Sequence, residues 1–165
     1  MSRMNVWSQD MFDTMSLSMD AAESRFRVSE HLYGAPGFDK MLFVEGDVEL
    51  ESLDLHDFPD PQAYGYIIDG NLSVRGAVES WNEEVMSLLV TGDAHFGDLF
   101  AGGADMAIRG DLRSDGFVIG QYNHGYLHVG GDIETPILIN SDHDIMWGGE
   151  LRATSVDAFH REPAD

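Results

Sequence analysis

The sequence predicts an all-β fold: a right-handed parallel β-helix, or β-solenoid, of about six turns with a helical capping segment at its N-terminus. Three observations lead there. An octet with glycine at its sixth position recurs six times. The apolar residues of that octet fall two apart, which is the period of a strand. The octets start 24, 22, 18, 21 and 18 residues apart, so the coil is not a strict six-residue repeat.

The octets are MLFVEGDV from Met41, GYIIDGNL from Gly65, SLLVTGDA from Ser87, DMAIRGDL from Asp105, YLHVGGDI from Tyr126 and DIMWGGEL from Asp144. The second position holds Leu42, Tyr66, Leu88, Met106, Leu127 and Ile145, and the fourth holds Val44, Ile68, Val90, Ile108, Val129 and Trp147. Both point to one side of a strand. The sixth is Gly46, Gly70, Gly92, Gly110, Gly131 and Gly149, a structural turn in every unit. The seventh is Asp47, Asn71, Asp93, Asp111, Asp132 and Glu150, residue types that brace turns through their side chains. The eighth, apolar again, is Val48, Leu72, Ala94, Leu112, Ile133 and Leu151. Further apolar runs follow at Leu99, Phe117 and Ile137, so each unit offers two short strands and two bends. No unit can bury its own apolar side, but stacked units can. A jelly-roll or cupin-like barrel also has many short strands and frequent glycines, and is the alternative fold.

The repeat divides the chain into residues 1–40, 41–155 and 156–165. In the first segment, Asp20 stands three residues before Glu23, resembling a capping box, and Ala22, Phe26 and Tyr33 share one helical side. Gly34 and Pro36 mark where that helix stops, although RFRVSEHL also reads as a strand. The segment is expected to cover one open end of the coil. At the other end, Val156 and Phe159 are expected to pack on the last turn.

Thirty acids face nine bases, of which only Lys40 is a lysine, for a formal charge of −21. Such a surface repels nucleic acid and anionic membranes and attracts cationic proteins. The chain has no cysteine and no apolar run as long as a membrane span. Its first residues lack the apolar stretch of a secretory signal, so the expected compartment is the cytoplasm.

The Gly-Asp-apolar repeats from about Met41 to Leu151 resemble those of bactofilins, bacterial cytoskeletal proteins that polymerise end to end without nucleotide. That resemblance implies a β-helix and a self-assembling scaffold. The N-terminal segment outside the repeat and the acidity favour a different expectation. This is a non-enzymatic module, a monomer or small homo-oligomer, that binds a basic protein, for instance as an immunity-type inhibitor of a basic toxin or nuclease.

The longest insert, Glu49 to Gly65, carries the expected partner-binding residues: Glu49, Glu51, Asp54, Asp57 and Asp60, with Phe58 and Tyr64 as aromatic anchors. Its two prolines suggest a protruding loop. His124 and His143, near His128 and Asp142, are the only residues spaced to invite a metal such as zinc, and no familiar ligand spacing accompanies them. Surface and turn roles account for them more simply. The stretch Gly120 to Tyr126, polar and aromatic, reads as a long turn. There is no Gly-x-Ser-x-Gly, and FAGGAD lacks the lysine of a phosphate loop. No catalytic residue, resident metal or cofactor is expected.

Overall fold

The structure, a computed structural model, describes residues 15–32, 38–57, 60, 62–81, 86–121 and 124–157. The chain begins with β1 (Met15–Ser18) and α1 (Met19–Phe26), then winds through coils. In each coil a strand of one sheet is followed by one or two strands of a second. The first coil holds β2 (Lys40–Glu45), β3 (Val48–Leu50) and β4 (Leu53–Asp54). Next come β5 (Ala63–Asp69) with β6 (Leu72–Ser80), then β7 (Ser87–Val90) with β8 (Ala94–Ala101). Then β9 (Asp105–Ile108) is followed by β10 (Leu112–Ser114) and β11 (Phe117–Gln121). The last coils are β12 (Tyr126–Val129) with β13 (Ile133–Ser141) and β14 (Asp144–Trp147) with β15 (Leu151–Asp157).

The strand order β2-β5-β7-β9-β12-β14 is parallel throughout, and the second sheet stacks in parallel beside it. This is a β-solenoid of about 5 turns, one fewer than the count of octets, because six stacked strands enclose five full circuits. The octets pair in register: Leu42 with Tyr66, Leu88 with Met106 and Leu127 with Ile145. The columns expected to face inward form the core, including Leu42, Val44, Tyr66, Ile68, Leu88, Val90, Met106, Ile108, Leu127 and Val129. Burial of apolar area in this seam is the main stabilising term. The sixth octet departs from this. Trp147 is 40% exposed and Ile145 and Leu151 are only partly buried, because no further coil covers them among the described residues.

Among the described residues of the N-terminal segment, β1 lies at the end of the first sheet, pairing antiparallel with β2. The helix and the short 3₁₀ turn Val28–Glu30 lie along the flank of the first sheet. There Ala22, Phe26, Val28 and Leu32 bury Met41, Phe43, Ile67, Leu89 and Ala107, of which the last four are third octet positions that point away from the central core. The first four coils are therefore apolar on both sides of this sheet. That pattern marks a sheet covered on both faces.

Local details differ from expectation too. The helix is capped by Ser18, whose hydroxyl accepts from the Ala21 N–H at 3.2 Å, rather than by Asp20. Glu23 instead accepts from the Ser29 N–H and hydroxyl at 2.8 and 2.7 Å, and these bonds hold its carboxyl below the usual range. RFRVSEHL is not a strand: it ends α1 at Phe26, turns through Arg27 at φ 53° and continues as the 3₁₀ turn Val28–Glu30. The Arg109 guanidinium donates to the Phe26 carbonyl, placing a cation at the helix C-terminus. Tyr33, Gly34, Pro36, Phe159 and the Val156 side chain lie outside what is described. No helix among the described residues is long and apolar enough to cross a membrane.

Candidate partner-binding surface

The seventh-position column forms a ladder. The Asp47 carboxylate accepts the Asn71 N–H, the Asn71 side-chain oxygen accepts the Asp93 N–H, and Asp93 accepts the Asp111 N–H. Asp111 then accepts the Asp132 N–H and Asp132 accepts the Glu150 N–H, every distance in the column falling at 2.8–2.9 Å. The expected turn-bracing role holds in a specific form, since each side chain braces the coil after its own. The longer glutamate stands in the last described coil. The charges stack about one strand spacing apart, roughly 4.8 Å, and repel by somewhat under about 1 kcal/mol per pair in water. The N–H dipoles offset part of that. Because Asn71 serves in the ladder, Asp111→Asn should change stability by no more than about 0.5 kcal/mol. Asp111→Ala should cost about 0.5–1.5 kcal/mol in urea denaturation, as the Asp132 N–H loses its acceptor.

The ladder explains the glycine column. A Cβ on Gly110 would stand 2.1 Å from Asp93 Oδ1, and one on Gly149 would stand 2.1 Å from Asp132 Oδ1. Gly46 has no coil before it and open space around its Cβ position, but its φ of 100° suits only glycine. One column thus holds glycine for two reasons.

A groove of about 430 Å³ runs beside the ladder, lined by Asp93, Asp111, Asp132, His95, Arg113 and Arg152 among others. Its basic side chains are engaged locally. Arg152 lies 3.2 Å from Asp132 and 2.9 Å from Glu150, and His95 lies 3.0 Å from Asp115. The His95 hydrogen bond holds the Asp115 carboxyl below its ordinary range.

The expected first-coil site is only partly assembled. Glu49 and Asp57 are exposed. Glu51 pairs with Arg75 at 2.7 Å, and Asp60 pairs with Lys40 at 2.6 Å, which lowers the Asp60 pKa. Asp54 accepts the His56 N–H at 2.8 Å. Tyr64 is no surface anchor: it is fully buried, its hydroxyl donating to buried Asp105 at 2.9 Å, and burial raises its pKa. The first half of the insert is packed, since Leu50, Leu53 and Leu55 belong to the central core and β3 and β4 pair with β6, while the two prolines that suggested a protruding loop, Pro59 and Pro61, lie outside the described residues. Phe58 lies outside the described residues.

His124 is exposed in a turn, while His143 is buried, packed against the backbone at Gly120 and donating its N–H to Asn140 at 3.0 Å. His128 faces outward, its ring 6.1 Å from that of His31. No three histidines or carboxylates among the described residues are grouped to hold a metal.

Near His128, burial first, then the charges of Arg109 and His128, hold the His31 imidazole below its ordinary pKa. A base that resists protonation when folded contributes stability above its unfolded pKa of about 6.5, and that contribution is lost as pH falls from there through the lower folded pKa. His31→Gln should therefore flatten the decline in thermal midpoint between pH 7.5 and 5, measured against the parent chain.

Sequence reasoning missed the covered outer column, Phe43, Ile67, Leu89 and Ala107. The signal was present as unbroken apolar runs such as LFV, YII and LLV. Comparison with family models, curated proteins and solved structures finds no match to this chain.

Proposed function

We propose that the chain is a non-enzymatic, rigid acidic module that captures a basic protein, in the manner of an immunity-type inhibitor of a basic toxin or nuclease. One observation carries the reading: the row of carboxylates pinned by backbone N–H groups along a corner of the solenoid. Charges held in place by the fold set up a fixed negative field without ordering cost on binding, and such a field speeds encounter with a cationic surface. The total charge of −21 extends that field around the molecule.

The test begins with a protein that co-purifies from the native host and is then identified. Its association rate should fall steeply as salt shortens the Debye length to about 8 Å. The triple variant Asp93→Asn, Asp111→Asn, Asp132→Asn removes three charges and keeps every brace. It should slow association while leaving the thermal midpoint nearly unchanged. The companion variant Glu49→Gln, Asp57→Asn asks whether first-coil acids share the contact. An acidic or neutral partner, or association indifferent to salt, overturns the reading.

A second reading, bactofilin-like self-assembly, draws on the last described coil, where Met146 is 43% exposed and β14 and β15 edge their sheets among the described residues. Against it, β1 adds an antiparallel strand at the opposite end, so one sheet is a strand longer than its coils require. Long filaments of the intact chain in negative-stain microscopy would decide for the second reading.

A further inference from the structure

The outer side of the second sheet carries an apolar stripe that no described segment covers. Across β8, β11 and β13, Leu99, Val118 and Leu138 point inward and are 0–5% exposed. Their neighbours Phe100, Phe117, Ile119, Ile137 and Ile139 therefore point outward. Strand register stacks Phe100 on Ile119 and Ile119 on Ile139, with Phe117 beside Ile137. Trp81, at the end of β6, lies 4.4 Å from Phe100, ring centre to ring centre, and Phe100 meets Phe117 edge-on at 4.8 Å. Trp81 is 52% exposed and Ile137 43%.

Single exposed apolar residues need no explanation, but a contiguous set of six, two exposed and four half-buried, does. The first sheet gives the contrast within the same molecule. Its outer apolar column is 0–1% exposed because the N-terminal segment lies on it. No described segment lies on the second stripe. Its two rows continue toward the first coil as acids: Asp54 and Glu79 in the Phe100 row, and Asp98 in the Phe117 row. Asp98 is held there by accepting the Phe117 N–H at 3.1 Å. No lysine or arginine occupies either row.

We propose that this stripe is the docking surface, and that its occupant is a protein presenting an apolar patch bordered by lysine or arginine. Trp81 and the phenylalanines are the anchors, and Glu79 and Asp98 select the basic border. The proposal rests on the reading of the chain as a binder of basic protein, and adds the place and the apolar half of the recognition. Charge argues against a second copy here, because two chains of −21 meeting face to face would set acidic borders against each other.

The test uses a pair of synthetic amphipathic peptides with the same leucine and phenylalanine face, one bordered by lysines and the other by glutamates. The lysine-bordered peptide should bind the full chain one to one, and the glutamate-bordered peptide should not. Trp81→Ser and Ile137→Asp, both at exposed positions, should each weaken binding by about tenfold or more with an unchanged thermal midpoint. Trp81→Phe should retain most of the affinity. Ile137→Asp is informative because it adds negative charge, so attraction by charge alone would tighten binding. Salt-dependent binding that both variants leave intact overturns the docking surface and leaves the acidic-module reading standing. Binding indifferent to salt overturns that reading as well. No binding, or equal binding of the two peptides, also overturns the docking surface. A concentration-dependent dimer of the parent chain abolished by Ile137→Asp assigns the stripe to a second copy. Binding that emerges only after removal of residues 158–165 assigns it to the chain's own C-terminus.

Discussion

Gly131→Ala is expected to destabilise the protein by about 2–5 kcal/mol, combining overpacking with loss of a brace. The new Cβ would stand 2.0 Å from Asp111 Oδ1 and 3.0 Å from the Gly110 carbonyl oxygen. Asp111 cannot withdraw freely, because that oxygen accepts the Asp132 N–H at 2.8 Å. The backbone at Gly131 is not in the left-handed region, so what forbids a side chain is occupied space. A double-mutant cycle separates the two causes. In an Asp111→Ala background the obstructing oxygen is gone, and Gly131→Ala should cost at least about 1 kcal/mol less than in the parent. Gly46→Ala offers the opposite case. Its cost arises from φ 100° with nothing within 4 Å, so no neighbouring substitution should relieve it. Strictly additive losses at Gly131 and Asp111 in urea denaturation would show that the ladder does not impose the glycine.

Removal of residues 1–38 is expected to convert a well-behaved chain into one that aggregates and binds hydrophobic dye. The deletion uncovers Met41, Phe43, Ile67 and Leu89, each at most 1% exposed in the intact molecule, and strips β2 of its antiparallel partner. A milder form of the same test is Phe26→Ala. Phe26 is 4% exposed, its ring centre is 5.5 Å from that of Phe43, and truncation should cost about 3–5 kcal/mol. Both follow from a flank-covering role. A truncated chain that remains monomeric, with the parent's thermal midpoint and no dye binding, would refute it.

The coil was legible from the sequence because its causes are local and repeated. Residues two apart face one way, and stacking in register places like on like, so the spacing of Leu88, Met106 and Leu127 is enough to announce a column. Glycine followed by an acid, or by Asn71 in the second unit, marked every corner for the same reason. The acids' role as braces was also readable from residue type, though the partner of each brace was not, because it lies 18 to 24 residues away. The first-coil site was less legible. Tyr64 and Phe100 are both aromatic residues in short strands, yet Tyr64 is buried under Phe38 with its hydroxyl on Asp105, while Phe100 lies under an exposed tryptophan.

By itself, then, the sequence determined the strands, the inward columns, the glycine corners and the acidity, all consequences of short-range periodicity and composition. Only the tertiary structure decided that residues before the repeat lie along the flank of the first sheet and that the second sheet's outer stripe has no such cover among the described residues. The physical reason is that alternation tells which side of a strand a residue takes, whereas burial on the outer side depends on which distant segment packs there.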